Sequence, residues 1–167
     1  MFLLPFEDIT YKTRLKEDEV IKRLSDFIEP PKTNRFGTLG VGSVRPYEGK
    51  IDGEEFTIRR IVEHRNSFLP KINGTIEKDY VGTIVRVKMR IDRFVVVFMV
   101  VWLGGVGVAL TSFVIDAIDK AEFNPSVFVL SGMFLFGCVL TLGGFKSESI
   151  KSKKQLKELF EAEIVEE

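Results

Sequence analysis

The sequence predicts an α+β membrane protein. Its expected parts are a mainly antiparallel β-sheet cytoplasmic domain with two amphipathic helices and a two-helix transmembrane hairpin. Two apolar runs predict the hairpin. Residues 94–115 and 126–145 contain no charged side chain. As helices rising 1.5 Å per residue, each is about 30 Å long, the thickness of a bilayer's hydrocarbon core. The connector, residues 116–125, holds Asp116, Asp119, Lys120, Glu122, Asn124 and Pro125, which end one helix and start the next. Alternating apolar and polar residues before the first run predict the sheet.

The domains follow from this pattern. Residues 1–93 form the β-rich cytoplasmic domain, 94–145 the hairpin, and 146–167 an amphipathic helix returning to pack on the first domain. Met1 to Phe6 is too short for the apolar core of a signal peptide, so no secretion signal is expected there. The basic residues set the orientation. Arg86, Lys88, Arg90 and Arg93 precede the first span, and Lys146, Lys151, Lys153 and Lys154 follow the second. The connector has Lys120 alone. A multi-pass protein with both termini cytoplasmic, as in a bacterial inner membrane, is expected.

Each element has its own signal. Ile9, Tyr11, Thr13 and Leu15 alternate with polar residues as in a half-buried strand. Glu17 to Ile28 has Val20, Ile21, Leu24, Phe27 and Ile28 at helical spacing, with acids in its first turn. Pro30 and Pro31 stop it. Arg35 to Val44 reads as a Gly-rich strand. Tyr47 to Ile51 and Glu55 to Val62 flank a hairpin turn at Asp52-Gly53. Lys71 to Glu77 and Thr83 to Ile91 flank another at Asp79 to Gly82. In the last strand Val85, Val87, Met89 and Ile91 face one way and Arg86, Lys88 and Arg90 the other. Only Asp92 and Arg93 separate this strand from the first span. Ile150 to Ile164 is expected to form a helix with Ile150, Leu156, Leu159, Phe160 and Ile164 on its apolar face.

Composition narrows the chemistry. The formal net charge is zero, but residues 1–93 hold 18 Lys and Arg against 15 Asp and Glu. A mildly basic domain beside a membrane suits anionic headgroups or a small anionic ligand. There is no basic stripe or motif for nucleic acid. One cysteine, Cys138, and one histidine, His64, are too few for a zinc site, so no metal and no cofactor is expected. Gly37, Gly40 and Gly42 lack the Lys-Ser/Thr and the following helix of a phosphate loop. No nucleophile elbow accompanies His64, so no catalytic residue is assigned and no enzyme is expected.

Two residue sets stand out. Arg59, Arg60, His64, Arg65, Asn66 and Ser67 are the densest polar cluster away from the spans. Arg60, Arg65, Asn66 and Ser67 are the candidate ligand-binding residues, because guanidinium forks bind phosphate or carboxylate and Asn and Ser complete such a pocket. The competing reading is a loop whose Asn and Ser cap turns and whose arginines pair with nearby carboxylates. Gly105 with Ala109, and Gly137 with Thr141, are small-residue pairs that allow close helix packing, within the hairpin or between copies in a homo-oligomer. Trp102 is expected to pack on the second helix. No ionisable residue lies mid-span, which argues against a proton or ion relay.

Tyr47-x-Gly49-x-Ile51, Phe56-x-Ile58-x-Arg60, Arg65-Asn66-Ser67-Phe68-Leu69-Pro70 and Gly74-x-Ile76 resemble a group of small, uncharacterised bacterial membrane proteins with two transmembrane helices and a β-rich cytoplasmic domain. The resemblance covers most of the chain and implies architecture without an activity. By layout alone, two membrane helices on a small β domain resemble the membrane effectors of bacterial nucleotide-signalled antiviral systems, in which the helices come first. The order strand, helix, antiparallel strands, final helix is similar to a helix-grip lipid-binding fold, interrupted here by the hairpin. The expected function is a non-enzymatic, membrane-anchored binding or sensory module that can oligomerise. The alternative is a membrane effector or pore component sensing a small anion such as a nucleotide; a lipid-acting enzyme comes third.

Overall fold

The structure is a computed structural model and describes residues 5–30, 45–62, 66–120 and 124–165. The fold is α+β, with one seven-stranded mixed sheet and two long apolar helices. The strands are β1 (Phe6–Thr13), β2 (Ile28–Glu29), β3 (Tyr47–Asp52), β4 (Glu55–Arg60), β5 (Lys71–Asp79), β6 (Gly82–Arg90) and β7 (Glu163–Val165). The helices are α1 (Glu17–Phe27), α2 (Arg93–Lys120) and α3 (Pro125–Leu159). The strand order is β2-β3-β4-β5-β6-β1-β7. All pairings are antiparallel except β2 with β3, so the expected antiparallel sheet has one parallel edge. That edge is two residues long, Ile28 opposite Tyr47 and Glu29 opposite Glu48. The strand expected at Arg35 to Val44 lies outside the described residues.

Alternation decides the two faces, since successive strand side chains point to opposite sides. Ile9, Tyr11, Phe56, Ile58, Ile72, Ile76, Val85, Val87 and Met89 form one buried face. Val20 and Leu24 of α1 and Phe145, Leu156 and Phe160 from the end of the chain cover it. Lys12, Arg59, Lys71, Arg86 and Lys88 lie on the open face. The first hairpin turns one residue later than expected: Asp52 pairs with Glu55, leaving Gly53 and Glu54 in the turn, with Gly53 at φ 59°. A positive φ there suits glycine, which has no Cβ to clash.

The end of the chain departs from expectation. Residues 146–159 are not a separate helix; they continue the second apolar run as one 35-residue helix, α3. Asn124 caps its start, accepting from the Ser126 amide at 3.0 Å, and Pro125 occupies the first turn. Its end is a Schellman motif, in which Ala162 N–H donates to Lys157 O and Glu161 N–H to Glu158 O. The sheet-facing stripe is Phe145, Glu148, Ser149, Ser152 and Leu156. Ile150, expected on that face, is 57% exposed. Ser149 and Ser152 are fully buried because small side chains let the helix lie close to the sheet. Phe160 and Ile164 follow the helix, and Ile164 lies in β7, opposite Tyr11.

The apolar parts of α2 and α3 pack on each other but bury only 6% of their most apolar windows within the chain. Phe94 (78%), Phe128 (66%) and Phe136 (65%) are exposed. A core helix of a soluble domain buries such residues, because each exposed one forgoes about 1.5–3 kcal/mol of transfer free energy.

Candidate functional site

The polar groups of interest converge where the sheet meets α3. Arg59 and Arg60 end β4 and point to opposite faces. Arg60 points to the covered face, where Nη1 donates to Glu148 Oε2 at 2.5 Å. Lys151 donates to the other Glu148 oxygen at 3.1 Å. Burial alone pushes the Glu148 carboxyl up, but the hydrogen bonds from Lys151 and Arg60 outweigh it and hold the pKa below its ordinary value. Glu7 on β1 takes a charge-assisted hydrogen bond from Lys146, the residue after Phe145 on α3. Its burial also acts upward, and Lys146 and Ser149 bring the net pKa down.

Neutral contacts extend this junction. Tyr47 Oη donates to Gln155 Oε1 at 2.9 Å, and Tyr11 Oη to the Lys153 carbonyl at 3.2 Å. Burial pushes both phenols up, so they stay protonated and donate. Thr13 Oγ1 donates to the Phe160 carbonyl at 2.6 Å. β1, β3, β4 and β6 therefore each have a side chain that reaches the sheet-seated part of α3 or the residue after it, β6 through Met89, whose sulfur accepts from Ser149 Oγ at 3.6 Å.

Of the four candidate ligand-binding residues, Arg65 lies outside the described residues, as does His64. Arg60 is engaged by Glu148. Asn66 folds its own loop: Oδ1 accepts from the Phe68 amide at 3.0 Å, an Asx turn, and Nδ2 reaches the Gly144 carbonyl at 3.4 Å. Ser67 is exposed at the loop tip. The loop's purpose in the fold is visible at Phe68, whose ring lies on Gly144. A Cβ on Gly144 would be 3.0 Å from it. Phe68 seats the loop on α3 where that helix leaves the sheet. The sequence carried no signal for Glu148, which reads as one acid among many in a polar stretch; only its place one turn after Phe145 could have marked it.

The helix-packing residues divide. A Cβ on Gly137 would lie 2.4 Å from Trp102, so the indole packs directly on the α3 backbone, as expected. Thr141 lies one turn further and donates to the Gly137 carbonyl at 2.8 Å. Gly105 has open space where a Cβ would sit, as do Gly104, Gly132 and Gly143. The Gly105 side of α2 therefore faces away from α3, with Ala109 one turn beyond it. Among the described residues, no group of three or more His, Cys, Asp or Glu side chains could hold a metal ion. No family model, no curated protein and no solved structure matches this chain.

Proposed function

We propose that this protein is a membrane-anchored sensory module whose sheet domain is mechanically continuous with its membrane helices. One observation carries the reading: α3 runs unbroken through 35 residues, its first half apolar and exposed, its second half seated on the sheet. An exposed apolar surface of this size requires lipid or protein to cover it, and two helices of span length favour lipid. At the other helix, Ile91 and Asp92 alone join β6 to α2. A change in the sheet's twist or in the seat of α3 would move both spans, since neither junction has slack to absorb it. The reading includes cytoplasmic termini, from eight basic residues flanking the hairpin base, and no enzymatic step.

Cysteine accessibility tests the arrangement. In a Cys138→Ser background, a cysteine at Ser126 labels from outside intact cells, whereas cysteines at the exposed Ser25 and Ser147 label only after lysis. The opposite pattern rejects the orientation, and loss of the chain from carbonate-washed membranes rejects the anchor.

A second reading, a membrane effector that acts as an assembly, draws on the outward glycines. Gly104 and Gly105 on α2 and Gly132 and Gly143 on α3 leave backbone open for a helix of another copy. Two helices cannot enclose a pore, so this reading requires several copies.

A further inference from the structure

Between α2 and α3, next to the sheet, lies a groove of about 210 Å³ with a wholly apolar lining. We propose that it holds the upper part of one acyl chain of an anionic phospholipid, whose phosphate sits among cations at the groove's mouth. This rests on the membrane-anchored reading and goes further, in naming a lipid class and its site.

The helical period connects groove and mouth. Val96, Val100 and Leu103 line the α2 wall. Arg93 lies on the same stripe, one turn closer to the sheet, because residues three, seven and ten apart share a helix face. It is exposed and has no hydrogen bond or ion pair among the described residues. Cys138 and Leu142 line the α3 wall, and Lys146 is on their stripe one turn closer to the sheet. Pro5 closes the groove from the strand side. Its neighbour Phe6 carries the Arg90 guanidinium 4.6 Å above its ring.

Charge then selects the headgroup. Arg90 stands directly opposite Lys71, and Lys71 opposite Arg59, so three cations cross adjacent strands at the end of the sheet where α2 begins. Like charges in that register repel unless an anion joins them. The local carboxylates offset part of this: Asp8 pairs with Arg90, Glu7 with Lys146, and Asp92 lies 3.9 Å from Arg59. Arg59, Lys71 and Arg90 are on the open face of the sheet, so the groove's own rim carries Arg93 and Lys146 against Glu7, and the excess positive charge there is that of Arg93. An apolar slot with a cationic rim matches an acyl chain ending in a phosphate, and basic pockets at the ends of membrane helices recognise anionic headgroups in this way. The groove is far too small for a whole lipid, so the headgroup remains at the rim, within reach of Arg93.

The test uses the full-length chain in nanodiscs doped with chain-brominated phosphatidylglycerol or phosphatidylcholine. Trp102, the sole tryptophan, neighbours Leu103 of the groove wall, and bromine in the groove quenches it. Phosphatidylglycerol is expected to quench at several-fold lower mole fraction. Arg93→Gln should reduce that preference about fivefold, the effect of one cation near a charged surface, and Arg93→Lys should retain it. Val96→Phe, which fills the groove, should abolish the saturable component for both lipids. Equal quenching by the two lipids, or an unchanged preference in Arg93→Gln, overturns the proposal. Complete competition by soluble glycerol phosphate also overturns it, since the site would then be one for a free anion. These outcomes leave the anchor reading standing. Release of the chain from native membranes by carbonate rejects the anchor and the lipid site together.

Discussion

Arg60 and Glu148 are 88 residues apart in the chain, and their Nη1 and Oε2 atoms meet at 2.5 Å. The pair joins the end of β4 to the first turn of α3 beyond its apolar run. Glu148 is 9% exposed and Arg60 22%, so removing one partner strands a partly desolvated charge. Glu148→Leu is expected to destabilise the sheet domain by about 1–3 kcal/mol. Adding Arg60→Met should recover part of that loss, because the one charge then left without its partner, Lys151, is 56% exposed and solvated. Thermal melts of the two variants in detergent give the comparison, and a double variant less stable than the single one would contradict it.

Acid should loosen the same junction. Glu7 and Glu148 both have pKa values below the ordinary 4.5 in the folded chain. A depressed carboxylate contributes stability that is present above its unfolded pKa and is lost as pH falls through its folded value. The melting temperature should therefore hold from neutral pH to about 5 and fall below 4.5. Combined Glu7→Gln and Glu148→Gln should start lower and show a shallower acid limb. A parallel limb would mean other carboxylates govern it.

Val87→Asp and Lys88→Asp separate the two faces of β6. Val87 is 1% exposed between Ile9 and Gly74, where a carboxylate must lose its water or take up a proton. The expected loss is on the order of 4 kcal/mol, enough to abolish folded expression. Lys88 is on the open face opposite Asp8, so its replacement costs at most about 1 kcal/mol through the new like-charge pair. Expression level and melting temperature check both.

Gly137→Leu and Gly105→Leu should act on different contacts. A side chain at Gly137 collides with Trp102, so α2 and α3 must part, and Trp102 emission should shift. Gly105 has open space, so leucine there leaves the hairpin intact. If copies associate through this face, Gly105→Leu combined with Ala109→Leu moves cross-linked species toward monomer while Trp102 emission stays unchanged. An unaltered oligomer distribution removes the basis for the effector reading.

The sequence alone determined the elements whose signal is periodic and local. The two charge-free runs gave both long helices, and strict alternation in residues 83–91 gave β6 and its buried face. The acids at Glu17, Asp18 and Glu19 and the spacing of Val20 and Leu24 gave α1. Tertiary structure decided what depends on distant neighbours. Ser149 and Ser152 read as polar but are buried, because the sheet's approach to α3 favours small volume over apolarity. Ile150 reads as core but is exposed, because a continuous α3 inherits its rotation from its apolar first half. Arg60 and Asn66 read as a ligand site; the fold engages one with Glu148 and uses the other to shape a loop. Gly105 and Gly137 read alike, yet only Gly137 meets Trp102, since the side of a helix that faces its partner is set by the crossing of two helices. Such facts require two segments to meet, and spacing along one segment carries no record of the other.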